Sequence, residues 1–171
     1  MMDARLKSLV TMLGLGGLLL VAALWGWSAV SEPFPERAGP PVCVDYAFAE
    51  RDTIHRSDVT VSVLNAGTRN GLAGLTLDLF VEAGFGEGQS GNVPDDAPRV
   101  RNVQIWTETP EHPAVQLVAA QLGSEVKVVR REPTTAGVQV VVGDRFRSLT
   151  KGPRKLKADR EVEVCGPPRT A

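Results

Sequence analysis

The sequence predicts an α/β protein: an N-terminal transmembrane helix followed by a small α/β sandwich, two helices on one sheet, in the order β-α-β-β-α-β-β. Three patterns predict it. Residues 9–30 hold no charged side chain, a run longer than the roughly 20 residues that cross a bilayer core as a helix. Beyond it, short stretches in which valines alternate with polar residues read as strands. Between those stretches, apolar residues recur at three- and four-residue spacing, as in helices with one buried face.

Arg5 and Lys7 precede the apolar run, and the positive-inside tendency then keeps a tail of residues 1–8 in the cytoplasm and sends the chain after residue 31 outside. Trp25 and Trp27 fall at the outer interface, where amphipathic rings prefer to sit. A cleaved secretory signal is the rival reading. It requires an apolar run of about 7 to 15 residues and small side chains before the cleavage point, where this chain has Trp27 and Val30. Gly14, Gly16 and Gly17 lack the GxxxG spacing of a helix-pairing face. Residues 31–41 hold Pro33, Pro35, Gly39, Pro40 and Pro41 and predict an extended linker.

The globular domain is expected over residues 42–149, with a basic tail over 150–171. Its first residues, 45–57, are polar enough for a short helix or an ordered loop. Val59, Val61 and Val63 then alternate with Thr60 and Ser62 as a half-buried strand ending at Asn65. Turn residues follow, with Thr68 or Asn70 as N-cap, before Leu72, Leu75, Leu79, Phe80 and Ala83 mark a helix stopped by Gly84. Residues 85–101 are rich in Gly, Pro, Asp and Asn and predict a loop or a poorly formed strand. Val103 and Ile105 mark the next strand, and Trp106 on its other side is expected to pack under a helix, the alternative being a platform for a sugar ring. Thr109, Pro110 and Glu111 form a helix start. Ala114, Val115, Leu117, Val118 and Leu122 make a second apolar face ending at Gly123. Val126 and Val128 mark a strand, and Val138 to Val142 a strand buried on both faces. Phe146 and Leu149 are expected in a short helical turn, and residues 161–164 alternate up to Cys165.

Composition limits the function. Of 171 residues 43% are hydrophobic and 23% charged, and the net charge is −1, so nothing marks nucleic acid as a partner. Cys43 and Cys165 both lie in the part placed outside, where thiols pair. Two free or intermolecular thiols are the alternative. No CxxC motif is present, and two cysteines with the separated His55 and His112 lack zinc spacing. No metal or other cofactor is expected. NAGTRNG lacks the GKS or GKT continuation of a phosphate loop. His55, Ser57 and Asp58 lie too close in sequence for triad geometry.

At this point the motifs form a familiar set. The run VTVSVLNAGTRNGLAGLTLDLFVEAGF over residues 59–85 resembles the opening of the LytR C-terminal domain family, whose first strand ends in VLN before a small-residue loop and a helix leading to GF. VQIWT from Val103, a helix at Pro113 to Leu122, and VQVVVGDRFRSL from Val138 to Leu149 continue the match; the last resembles the family's closing V-LG-DF strand and turn. The arrangement of anchor, cysteine, module and second cysteine is similar to that of actinobacterial envelope-integrity proteins. Arg145 departs from the pattern by standing between Asp144 and Phe146. The resemblance implies a non-enzymatic role in cell-envelope integrity and supplies no catalytic residue. Some family members are labelled transcriptional regulators, and an exported domain argues against that label.

Two surfaces are candidate binding sites. Asn65, Gly67, Arg69 and Asn70 form a polar loop between a strand end and a helix start, which presents amides and a guanidinium to an anion. The competing reading is a loop that satisfies itself, with Asn65 bonding its own backbone. Lys151, Arg154, Lys155 and Lys157, with Arg160, cluster in the tail and suit anionic wall polymer or lipid headgroups; a solvated charge run is the competing reading. The partners expected are the membrane, peptidoglycan or a wall glycopolymer, and the ligases that assemble the wall. An envelope enzyme, a phosphotransferase or hydrolase acting on wall glycopolymers, is the alternative function.

Overall fold

The computed structural model describes the backbone of residues 4–31 and 42–169, and within the first helix it describes the side chains of residues 10–25. The expected linker, the first three residues, and the side chains of Arg5, Lys7 and Trp27 lie outside the described residues. The chain divides into two units, Met1–Gly39 and Pro40–Ala171.

The first unit is helix α1, Ala4–Ser31. Its described side chains are exposed throughout, Leu13 and Leu18 at 70% each. Among the described residues, which in this helix include the side chains of residues 10–25 alone, no helix is long and apolar enough to cross a membrane.

The second unit opens with strands rather than the helix or loop expected over 45–57: β1 (Val44–Phe48), β2 (Thr53–His55) and a 3-10 turn, Arg56–Asp58. Then come β3 (Thr60–Asn65), α2 (Leu72–Glu82), β4 (Gly86–Asn92), β5 (Val103–Thr107), α3 (Pro113–Leu122), β6 (Lys127–Arg130) and β7 (Val138–Val142). That run is the predicted β-α-β-β-α-β-β order. The segment expected to be a tail carries two more strands, β8 (Lys155–Lys157) and β9 (Val162–Gly166). No helical turn forms at 146–149. Phe146 enters the core all the same.

The five-stranded sheet has the order β4-β3-β7-β5-β6. A helix between two strands lets the second return beside the first in parallel, and this happens twice, in β3-α2-β4 and β5-α3-β6. Strand β7 then enters between these two β-α-β segments, parallel to β3 and antiparallel to β5. Lying at that seam, it is covered on both faces, which is why its sequence is nearly all valine. Both helices pack on one face, where Val61, Val63, Ile105, Val140, Phe80 and Leu117 form the main core. Strand β4 escaped clear prediction because GEGQSGN offers no apolar alternation. It is an edge strand held by backbone pairing, and Ser62 Oγ accepts the Gln89 amide where its register slips against β3.

Helix ends follow local chemistry with two changes from expectation. Gly71, in the left-handed region at φ 73°, caps α2 with no side-chain bond, so neither Thr68 nor Asn70 is the N-cap. His112, rather than the Thr109 segment, caps α3, its Nδ1 accepting the Ala114 amide at 3.2 Å, with Pro113 at the first position. Trp106 is buried, but on the face away from the helices, with Leu64, Ala66, Val100 and Val141. Its Nε1 donates to Gln104 Oε1 at 2.9 Å, and the Arg131 guanidinium lies 4.3 Å from its ring centre.

Two small sheets close the domain. β1 pairs antiparallel with β9, and β2 with β8. A disulfide joins Cys43 to Cys165 beside the first pair, with Cα atoms 5.5 Å apart and a sequence separation of 122. Arg56 secures the second pair: its guanidinium donates to the carbonyls of Pro153 (3.0 Å), Ala83 (2.9 Å) and Gly152 (2.7 Å). Desolvation, and then the charge of Arg154, lower its pKa from the ordinary arginine value.

Candidate functional site

The loop after β3 satisfies itself. Asn65, at the buried strand end, accepts the Gly67 amide with Oδ1 at 2.9 Å and donates from Nδ2 to the Arg69 carbonyl at 2.8 Å. The amides that a bound anion would use are taken by a side chain 75 residues downstream or more. Asp144 Oδ1 accepts the N–H of Thr68 at 2.8 Å and of Arg69 at 3.1 Å, while Oδ2 accepts the Thr68 hydroxyl at 3.2 Å. The Arg69 guanidinium donates to the Phe146 carbonyl at 3.3 Å. Asn70 is exposed and borders a shallow cleft with Asn92 and Asp95.

Asp144 is thus the loop's own anion, and its carboxyl lies below the ordinary carboxylate range. The Thr68 amide bond is the largest cause; desolvation, next in size, opposes it, and the Arg69 amide, the Thr68 hydroxyl and the Arg69 charge lower the pKa further. Gly67 is required here, because a Cβ would lie 2.9 Å from the Asp144 carboxyl carbon. The sequence carried a signal for this contact in the paired VLN and GD motifs, but nothing in either one showed that they meet.

The basic residues lie at the other end of β3. Lys155 and Lys157 stand on β8, opposite His55 and Thr53 of β2, with half-buried Leu156 between them packed against the core. Strand alternation puts both ammonium groups on one face. Lys151 and Arg154 are exposed in the segment leading into β8, and the Arg154 carbonyl accepts the Arg56 amide at 3.2 Å. The two candidate surfaces are not brought together, since β3 runs between them for roughly 20 Å.

Two further clefts matter. One of about 230 Å³ holds His112 with Asp45, Glu108 and Glu163. Both ring nitrogens of His112 engage backbone, Nδ1 the Ala114 amide and Nε2 the Glu163 carbonyl at 3.1 Å. Desolvation chiefly, and then the charge of Arg160, lower its pKa against the opposing Glu163 bond and the charge of Asp159, so the ring acts as a neutral helix cap. The other, of about 520 Å³, is lined by Ala66, Arg99, Val100, Arg101, Asp144 and Arg145. Of the sequence-triad residues, Asp58 accepts the His55 amide at 2.9 Å and pairs with Arg169 at 3.2 Å, so it is committed to the turn. Among the described residues no group of three His, Cys, Asp or Glu is placed to hold a metal.

No curated protein matches the chain. A similar solved structure is the soluble domain of a conserved hypothetical secreted protein from Mycobacterium marinum, at 21% identity and a TM-score of 0.47, covering 57% of this chain and 67% of that one. Residues 58–146, from the Asp58 turn through both β-α-β units to the Phe146 that follows the Asp144 clasp, match the LytR_C family, described as LytR cell envelope-related transcriptional attenuator. The chain belongs to the LytR_C family.

Proposed function

We propose that the protein is a membrane-anchored, extracytoplasmic component of the cell envelope that works without catalysis, supporting envelope integrity by binding wall polymer or wall-assembly proteins. The observation that carries this reading is the uncovered apolar helix set before a disulfide-closed LytR_C domain. Helix α1 has 28 residues and so reaches about 42 Å at 1.5 Å per residue. Its exposed leucines need an apolar surrounding, and a bilayer supplies one. Arg5 and Lys7, ahead of the uncharged run in the sequence, favour a cytoplasmic N-terminus. The Cys43–Cys165 bridge belongs in an oxidising compartment, and the family's description names the cell envelope.

The β8 face is the favoured contact, because Lys155 and Lys157 project together from a strand while the Asn65 loop is filled by Asp144. The domain would then read anionic polymer or an acidic protein surface by charge.

The test has two arms in cells making the full chain. A Ser148→Cys variant is treated with a membrane-impermeant maleimide, and a photo-crosslinker is placed at Lys155. Labelling of intact cells together with recovery of wall material or wall-assembly proteins is the expected result. Labelling only after lysis would overturn the topology, and an empty cross-link would overturn the binding role.

A further inference from the structure

The protein is nearly neutral, yet Arg99, Arg101 and Arg145 line one open cleft of about 520 Å³ at the ends of β3 and β7. Val100 anchors the segment by burying itself with Trp106 and Val141, which leaves its two neighbours, Arg99 and Arg101, exposed. The Arg145 amide donates to the Arg101 carbonyl at 2.9 Å, and the Gly143 amide to the Asn102 carbonyl at 2.7 Å. Two segments far apart in sequence are therefore locked side by side at the positions that bear guanidinium groups.

Among the described residues, none of these three guanidiniums has an ion pair or hydrogen bond. The carboxylate at the cleft, Asp144, spends both oxygens on Thr68 and Arg69. Asp95 borders the adjoining cleft beside Arg99 and leaves Arg101 and Arg145 unanswered. Ala66 and Val100 give the cleft an apolar floor, which strengthens a charged contact by limiting competition from water.

We propose that this arginine cleft binds the phosphate group of a phosphodiester. Guanidinium is a planar fork suited to phosphate oxygens. A carboxylate presents its two oxygens in one plane with its carbon substituent, whereas the two non-bridging oxygens of a phosphodiester stand on a tetrahedral centre and accept from guanidinium groups arriving from different directions. The position fits as well, since ligands of sheets with β-α-β units gather beyond the carboxyl ends of parallel strands, and β3, β4 and β7 all end on this side. The inference deepens the polymer-binding reading and rests on it only for the source of the phosphate, a soluble or wall-bound phosphodiester or an anionic lipid headgroup.

The full chain, reconstituted in phosphatidylcholine nanodiscs, is titrated with inorganic phosphate and with glycerophosphoglycerol, followed by phosphorus NMR line broadening. Saturable binding of glycerophosphoglycerol is expected. The Arg101→Gln/Arg145→Gln double variant should weaken it roughly tenfold or more, as loss of charge-assisted hydrogen bonds does. Arg51→Gln/Arg130→Gln, at exposed residues outside the cleft, should leave it unchanged. Circular dichroism checks folding, and if the glutamine variant does not fold, Arg101→Lys/Arg145→Lys carries the test, with a several-fold loss expected from the missing fork. Phosphatidylglycerol added to the discs will compete if the lipid headgroup is the source and will not if the soluble phosphodiester is. No saturable binding, or binding equal to wild type in the Arg101/Arg145 variants, or binding lost equally in Arg51→Gln/Arg130→Gln, would overturn the site. Should it fall while cross-links from Lys155 still recover envelope material, the polymer-binding reading stands without it.

Discussion

The carboxylate of Asp144 accepts the amide N–H of Thr68 at 2.8 Å across 76 residues of sequence. This contact ties the end of β7 to the loop between β3 and α2, and so joins the two strands at the centre of the sheet on their outgoing side. It also explains three neighbouring residues at once. Asn65 shapes the loop so that its amides face inward, Gly67 leaves room for the carboxylate, and Phe146 anchors the chain beyond it in the core.

Asp144→Ala should lower the thermal midpoint by several degrees and speed hydrogen exchange at the Thr68 and Arg69 amides, because both donors lose their acceptor. Gly67→Ala should cost more than Asp144→Ala, since the new methyl group forces the loop and the carboxylate apart. In the double variant the two effects should be less than additive, which a double-mutant cycle by thermal melting measures.

The same contact sets an acid dependence. The folded pKa of Asp144 is depressed, so its contribution is fully present above the unfolded value of about 3.9 and is lost as pH falls through the lower folded value. Urea unfolding of the wild type and Asp144→Asn should differ at neutral pH and converge at the acid end. A gap that persists at the lowest pH would show that charge plays no part.

His112 acts in the same direction, in a window nearer neutral pH. Its folded pKa is lowered, so the unfolded chain binds its proton first, and stability falls as pH drops through the ordinary histidine value of about 6.5 toward the folded one. Protonation also removes the Nδ1 acceptor from the Ala114 amide. His112→Asn keeps a capping oxygen without a titrating ring. It should flatten the stability profile between about pH 6.5 and the folded pKa, measured by urea midpoints across that window.

The Cys43–Cys165 bridge closes a loop of 122 residues' separation, which in the chain-entropy model constrains the unfolded chain by about 5 kcal/mol. Cys43→Ser/Cys165→Ser should lower the unfolding free energy by an amount approaching that figure. Reductant should produce the same loss in the wild type and none in the variant. The β1–β9 pair should show the largest gain in hydrogen exchange.

The order of the LytR_C module was legible in the sequence because most of its elements carry a local signature. Alternating valines gave β3, Val103 and Ile105 gave β5, the leucine spacing gave α2, and the glycines at 84 and 123 ended the helices where their left-handed backbone angles allow. Elements without such a signature were legible weakly or not at all. Strands β1 and β2 were not expected and β4 was expected as a loop or a poorly formed strand, because all three are edge strands, specified by the backbone of a neighbour rather than by an apolar pattern of their own. Trp106 was assigned to the wrong layer for a related reason: alternation separates it from Ile105 but does not say which face the helices take.

The sequence by itself determined the uncharged stretch over residues 9–30 and the β-α-β-β-α-β-β order, because composition, period and residue type act over a few neighbouring positions; it left the pairing of Cys43 with Cys165 open, and the structure joins them. The tertiary structure alone decided that Asp144 fills the Asn65 loop, that Lys155 and Lys157 stand on a strand rather than in a tail, and that Arg101 and Arg145 share one cleft. Each of these is a meeting of segments tens of residues apart, fixed by where β7 inserts in the sheet and by how the chain after Thr150 returns to pair with β2 and β1. Such meetings depend on which backbone edge is free to pair and which core face remains open, and no local pattern of residues encodes either.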